Sequence, residues 1–183
     1  REKDELRKKV EELLKRLEEI SKRTKDSVER VLRELDKITK ESKKRAKKLV
    51  DRLKELLKRV TDERVKEIVR DVLRKIDKLV RDVARLNEEV KKRIKDLVRE
   101  VEKRNRDVLD EIRKLVEEVE RRGDERAIEE VLKTIEELIK EVEDVNRRVN
   151  ETIRELLERL RRANEDVIRK VEKLIKEVED ATR

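Results

Sequence analysis

The side chains that could carry out chemistry in this sequence are 49 carboxylates, 57 Lys and Arg cations and three serines. Paired carboxylates act as general acid and base when an apolar pocket raises the pKa of one of them. Here the carboxylates alternate with Lys and Arg at helical i,i+4 spacing, and none falls at the centre of an apolar stripe. They are therefore predicted to form surface ion pairs, each contributing a few tenths of a kcal/mol.

Missing residue types exclude other kinds of chemistry. The chain has no His and no Cys, so it lacks the commonest metal ligand and general base as well as a thiolate nucleophile. Ser21, Ser27 and Ser42 consequently have no His to activate them. Helical di-metal sites need inward Glu-x-x-His motifs, which cannot be built without His. The sequence predicts no enzymatic activity, no metal site and no cofactor.

A basic run, Lys43-Lys44-Arg45-Ala46-Lys47-Lys48, stands out in a chain of net charge +8. Such a run can contact phosphates, and the alternative interpretation is a solvated helix face. The sequence has no aromatic residue for base stacking and no groove-reading motif. No specific nucleic-acid partner is therefore predicted. Any binding to duplex DNA is expected to be independent of sequence and largely lost at physiological salt.

Apolar residues never run for more than pairs such as Leu13-Leu14 and Ile68-Val69. No segment is therefore expected to span a bilayer or to act as a signal peptide, and no membrane partner is predicted. We expect a soluble chain, and the sequence contains no signal that assigns it to a compartment.

Two short interruptions divide the chain into three helical segments. Gly123 follows two arginines and precedes Asp124, the pattern of a left-handed C-cap glycine followed by a new acidic helix start. Thr61-Asp62-Glu63 offers an N-cap and early-turn acids. At both places the apolar stripe also changes phase. These features predict helices at about residues 2–60, 62–121 and 124–182.

Within each segment the apolar pattern recurs at every eighteenth position. Eighteen residues are five turns of 3.6, so the apolar stripe faces one direction along a straight helix. The sequence predicts an all-α fold: an elongated, nearly untwisted antiparallel three-helix bundle with helices of about 58 residues, forming a single domain over residues 1–183. The repeating series include Leu17, Leu35 and Leu53; Ile76, Ile94 and Ile112; and Ile135, Ile153 and Val171.

Six uncharged polar residues interrupt this apolar stripe in pairs, and the members of each pair are separated by the same five-turn repeat. In an antiparallel pair, residues at the same level have a constant sum of numbers, whereas in a parallel pair they have a constant difference. Both relations hold for all six residues and predict two polar layers. The layers are Thr24, Asn105 and Asn146, and Ser42, Asn87 and Asn164.

Buried polar groups are costly unless they are paired, so the two layers are predicted to be hydrogen-bond networks that fix helix register. Ser21, Thr39, Ser27 and Asn150 lie near enough to extend them. The alternative is a ligand or ion site. Three neutral groups without a carboxylate, a His or an aromatic lining are a poor site for either.

The chain resembles a de novo designed, parametrically generated helical bundle with buried hydrogen-bond network layers. The resemblance covers the whole chain. It rests on the restricted alphabet, the Lys/Arg/Glu surface, the Leu/Val/Ile core, the Asn/Ser/Thr layers and the short loop at Gly123-Asp124-Glu125-Arg126. It implies that stability and pairing specificity were the objectives and that no natural biochemical activity is expected.

The expected role is therefore a structural protein or scaffold, a monomeric rigid rod that needs no partner. The alternative is a binding module, meaning one component of a designed helical oligomer, heterodimer or helix-displacement switch. Self-association or a designed helical partner is then possible.

Overall fold

The computed structural model describes residues 2–182, which form three long helices: α1 (Glu2–Arg59), α2 (Glu63–Arg122) and α3 (Glu125–Ala181). Leu, Glu, Lys and Arg are good helix formers, and the absence of Pro leaves each helix uninterrupted. No strand occurs within residues 2–182. The predicted all-α, three-helix fold is confirmed.

Aspartate caps determine where α2 and α3 begin. The Asp62 carboxylate accepts a hydrogen bond from the backbone N–H of Arg64 at 2.9 Å, and that of Asp124 accepts one from Arg126 at 3.2 Å. Each Asp thereby satisfies an otherwise unpaired N–H of the first turn. Because the capping residue stands outside the helix, both helices begin one residue after the predicted position.

Gly123 ends α2 in the left-handed conformation that the sequence predicts. Its φ is 60°, and its N–H donates to the Val119 carbonyl at 3.0 Å. A side chain at this φ would be strained, so the tight connection to α3 depends on glycine.

The backbone forms two compact units, each containing a segment of all three helices. The first comprises residues 1–30 and 94–154, and the second comprises residues 31–93 and 155–183. The predicted single domain over residues 1–183 stays a prediction.

Contacts within each unit establish the helix directions. In the first unit α1 meets α2 at Arg7–Glu120 and Ser21–Asn105, pairs whose numbers have nearly the same sum, as antiparallel helices require. In the second unit Asp36–Lys91 follows the same rule. Helices α1 and α3 instead pair at a nearly constant difference in residue number, so they are parallel.

The most buried positions are those of the repeating apolar series. Ile76, Ile94 and Ile112 are fully buried, as are Ile135 and its equivalents, because these positions face the middle of the bundle in every repeat. Each unit has a hydrophobic cluster drawn from all three helices. The buried members are Leu6, Val10, Leu17, Val108, Ile112, Val119, Ile128, Ile135, Ile139 and Val142 in the first unit, and Leu53, Val69, Val72, Ile76, Val171, Ile175 and Val178 in the second.

Candidate functional site

A buried network in the first unit joins all three helices through the side chain of Asn146 on α3. Thr24 on α1 donates its hydroxyl to Asn146 Oδ1 at 2.8 Å. Asn105 on α2 donates to the same oxygen at 3.2 Å and accepts from Asn146 Nδ2 at 2.9 Å. The second N–H of Asn146 reaches the Val142 carbonyl, one turn earlier in its own helix, at 2.7 Å. Both donors and both acceptor sites of Asn146 are therefore used.

Two half-buried neighbours extend this network. Asn105 gives its second N–H to Ser21 Oγ at 3.1 Å, and Asn150 donates to Thr24 Oγ1 at the long distance of 3.5 Å. Asn150 Oδ1 is buried with no partner among residues 2–182. Turning over the Asn150 amide would not repair this, because the Thr24 hydroxyl already donates to Asn146.

The corresponding network in the second unit uses two helices. Asn87 on α2 and Asn164 on α3 exchange hydrogen bonds of 3.2 and 2.7 Å. Asn164 also donates to the carbonyl of Leu160, one turn earlier, at 2.7 Å. This reciprocal amide pair repeats that of Asn105 and Asn146.

Ser42 on α1 lies beside this pair without bonding to it. It lines the same groove, of about 350 Å³, as Asn87 and Asn164, but it is half-exposed and no hydrogen bond of its side chain occurs within residues 2–182. Thr39, the equivalent of Ser21, donates to the Asp36 carbonyl of its own helix. The structure thus brings together all three residues of the first predicted layer and two of the second.

Five of the six predicted layer residues, all except Ser42, are at least nine-tenths buried. Among residues 3–182, whose side chains the structure describes, the buried polar set contains no charged residue. The sequence pattern did not reveal the Val142 and Leu160 carbonyls as acceptors. The sequence does hold one indication of these acceptors. An Asn inside a helix can donate a spare side-chain N–H to the backbone carbonyl four residues earlier.

A row of ion pairs joins α1 to α3 at a constant difference of 127 residues. In the first unit Arg16 pairs with Glu143. In the second unit Glu34 pairs with Arg161 at 3.3 Å, and the remaining two pairs are Arg45–Glu172 at 3.1 Å and Arg52–Glu179 at 2.7 Å. Arg161 Nε is buried without a hydrogen bond and lies 3.9 Å from a carboxylate oxygen of Glu158.

The polarity of three of these pairs, those separated by the 18-residue repeat, alternates along the seam. Arg16, Glu34 and Arg52 occupy successive repeats of α1, and their partners on α3 carry the opposite charges in the same order. A shift of α3 along α1 by one repeat, in either direction, would place Arg against Arg161 and Glu against Glu. The overlapping apolar positions would still match, although one repeat at each end would lose its partner, so charge adds to the preference of the core for this register.

The described part of the chain contains neither a candidate metal site nor a candidate membrane span. Among those residues no group of His, Cys, Asp and Glu is arranged to hold a metal ion. None of the helices there is sufficiently long and apolar to be a membrane span.

Comparison with protein-family models, with curated proteins and with solved structures finds no match. The two polar networks and the ion-pair row are therefore the features of the molecule that bear on its function.

Proposed function

We propose that the protein is a structural scaffold of designed origin, a self-contained three-helix bundle that performs no catalysis. The observation that carries this proposal is the complete pairing of Asn146 by groups of its own chain. A polar group that was intended to meet another chain would be left with unused donors or acceptors in the isolated protein. Asn146 has none.

The two asparagine pairs and the alternating ion pairs support the same role. Each asparagine pair matches α2 to α3 at one level, and a buried amide facing a Leu or Val at the wrong level would cost about 1–3 kcal/mol. The ion pairs are largely exposed, so each is worth at most about 1 kcal/mol. The short connections at residues 60–62 and 123–124 already oppose sliding within one chain. The asparagine pairs and the ion pairs therefore act mainly against staggered pairing between separate chains.

Light scattering tests the proposal directly. Across micromolar concentrations the protein should have the monomer mass of 22.3 kDa. A mass of two or three times that value would overturn the self-contained scaffold and favour a component of a helical assembly.

A variant that lacks the first network tests the role of the polar groups. Thr24→Val, Asn105→Leu and Asn146→Leu together remove both sides of each bond among the three layer residues, so the bundle should stay folded. Its mass distribution should broaden to include oligomers, because apolar layers accept more than one partner register. Ser42→Ala is the control and should remain monodisperse. A strictly monomeric triple variant would show that the network does not restrict association.

A further inference from the structure

One segment of α1, residues 37–48, carries most of the net charge of the protein. It contains seven cations and one carboxylate, a net charge of +6 in a chain whose total is +8. Six of the cations are lysines with exposed side chains, and we refer to them together as the lysine face. They are Lys37, Lys40, Lys43, Lys44, Lys47 and Lys48.

No described acid forms a salt bridge with the lysine face, although Glu88 lines the same groove as Lys40 and Lys43. Within residues 3–182, none of its six ammonium groups takes part in a salt bridge, whereas Arg45 in the same segment pairs with Glu172. Asp36, the nearest acid before the segment, pairs instead with Lys91 on α2. The positive charge of the face is therefore presented to solvent.

The structural repeat does not require lysine at three of these six positions. One repeat earlier on α1, the positions equivalent to Lys37, Lys44 and Lys47 hold Glu19, Asp26 and Glu29. The two stretches occupy the same helical phase and therefore have equivalent relations to the core. The bundle thus tolerates acids at these three positions, whereas the positions equivalent to Lys40, Lys43 and Lys48 are also basic, namely Lys22, Lys25 and Arg30.

The shape of the lysine face matches the rows of phosphates on duplex nucleic acid. At 100° and 1.5 Å per residue, its six lysines fall within an arc of about 140° and a length of about 16 Å. The major groove is about 12 Å wide and accepts one helix, with phosphates on both sides. Lysines on the two edges of the arc can then reach opposite phosphate rows.

A membrane surface is a poorer match to this face. Stable attachment to a bilayer needs a buried apolar group besides the basic charge. Among the described residues the only large apolar side chain that is exposed is Ile68, on α2 and outside the lysine face. The lysine face can therefore contact phosphates, but it has no apolar side chain to insert into a bilayer.

We propose that the lysine face of α1 is a contact surface for duplex nucleic acid, which binds through phosphates and without reading sequence. This binding is additional to the scaffold role and does not depend on it. If five of the six lysines each neutralise one phosphate, log K should fall with log salt at a slope of about −4.5. Binding should then weaken about 100-fold between 50 and 150 mM salt.

The test measures binding of the full chain to two fluorescent 24-base-pair duplexes of unrelated sequence, over a series of salt concentrations. At about 50 mM salt the dissociation constant should be below about 10 μM and should agree within about threefold for the two duplexes. Absence of binding at 50 mM salt, or clear preference for one sequence, would overturn the proposal. So would binding to phosphatidylserine vesicles without binding to either duplex.

A pair of charge-matched variants locates the surface. The face variant, Lys37→Glu, Lys44→Asp and Lys47→Glu, carries the residues of the preceding repeat. The control has Lys92→Glu, Lys103→Glu and Lys114→Asp, all exposed on α2 and without salt bridges within residues 3–182. Both variants have net charge +2, and circular dichroism verifies that both are helical.

The face variant should bind at least 100-fold more weakly at 50 mM salt, with a salt slope shallower by about three. The control should lose less than about fivefold. Equal losses in the two variants would show that binding follows total charge rather than the lysine face, and would overturn the proposal.

Discussion

At the scale of single residues, the structure separates polar groups that are paired from polar groups that merely lie close together. Asn105, Asn146, Asn87 and Asn164 form two reciprocal amide pairs in which each partner satisfies the other. Ser42 has the same helical phase as Thr24 but makes no such bond within residues 2–182. Removal of one amide should therefore matter far more than removal of the Ser42 hydroxyl.

The Asn87–Asn164 pair gives the first prediction. Asn87→Leu alone should lower the free energy of unfolding by about 1–3 kcal/mol, because it leaves groups of Asn164 buried without partners. Adding Asn164→Leu removes the stranded groups, so the double variant should recover most of the loss. Guanidinium unfolding at raised temperature measures both.

Ser42→Ala is the matched control and should change stability by less than about 0.5 kcal/mol. If the two asparagine substitutions were simply additive, the residues would not interact, and the proposed register of α2 against α3 would be wrong.

At the scale of the helices, the α1–α3 ion pairs and the caps control how the helices meet. The pairs made by Arg16, Glu34 and Arg52 recur with the same five-turn repeat as the core, but their polarity alternates. Within the repeats that still overlap, a shift of one repeat leaves the core series nearly unchanged, whereas the charge series changes sign.

Reversal of one ion pair gives the second prediction. Arg161→Glu places a second carboxylate beside Glu34 and should destabilise the protein by roughly 1 kcal/mol, an effect that weakens as salt is added. Glu34→Arg in the same chain restores an opposite-charge pair and should recover stability. A double-mutant cycle in guanidinium measures the coupling, and a coupling near zero at low salt would contradict the pairing at this seam.

Gly123 gives the third prediction. Gly123→Ala should cost about 1 kcal/mol because alanine is strained at a φ of 60°. Space is not the cause, since an added Cβ would meet only Lys3 Cε at 3.9 Å. Arg122→Ala, inside the last turn of α2, is the control and should be nearly neutral by thermal or guanidinium unfolding. A neutral Gly123→Ala would show that the connection adopts another conformation.

At the scale of the whole molecule, the two compact units can unfold together or one after the other. Each helix contributes residues to both units, and each unit has its own buried cluster and its own polar network. Equivalent core residues in the two units provide a matched comparison.

The fourth prediction uses Ile112→Ala in the first unit and Ile76→Ala in the second. Both side chains are fully buried at equivalent positions of the repeat, so each truncation should cost about 2–5 kcal/mol. If residues 1–183 are one domain, both variants should show one unfolding transition with similarly lowered midpoints. Two transitions, of which each variant lowers only one, would establish two domains.

The sequence by itself determined the helices, their period and the level at which polar residues lie. Periodicity is sufficient for this, because 100° per residue places every side chain on a known face, and sums of residue numbers align antiparallel helices. The burial of Thr24 and the asparagines follows from the same arithmetic. The lysine-rich stretch of α1 is likewise visible in the printed residues.

Only the tertiary structure decided which of the polar side chains at one level of the bundle form hydrogen bonds or ion pairs. Ser42 and Thr24 are equivalent in period, yet only Thr24 reaches an asparagine, because a hydrogen bond depends on tenths of an ångström and on rotamer. The Val142 and Leu160 carbonyls are backbone groups, which no side-chain pattern displays. With 58% of residues charged, many opposite charges could meet, and the packed distances alone select Arg161 for Glu34.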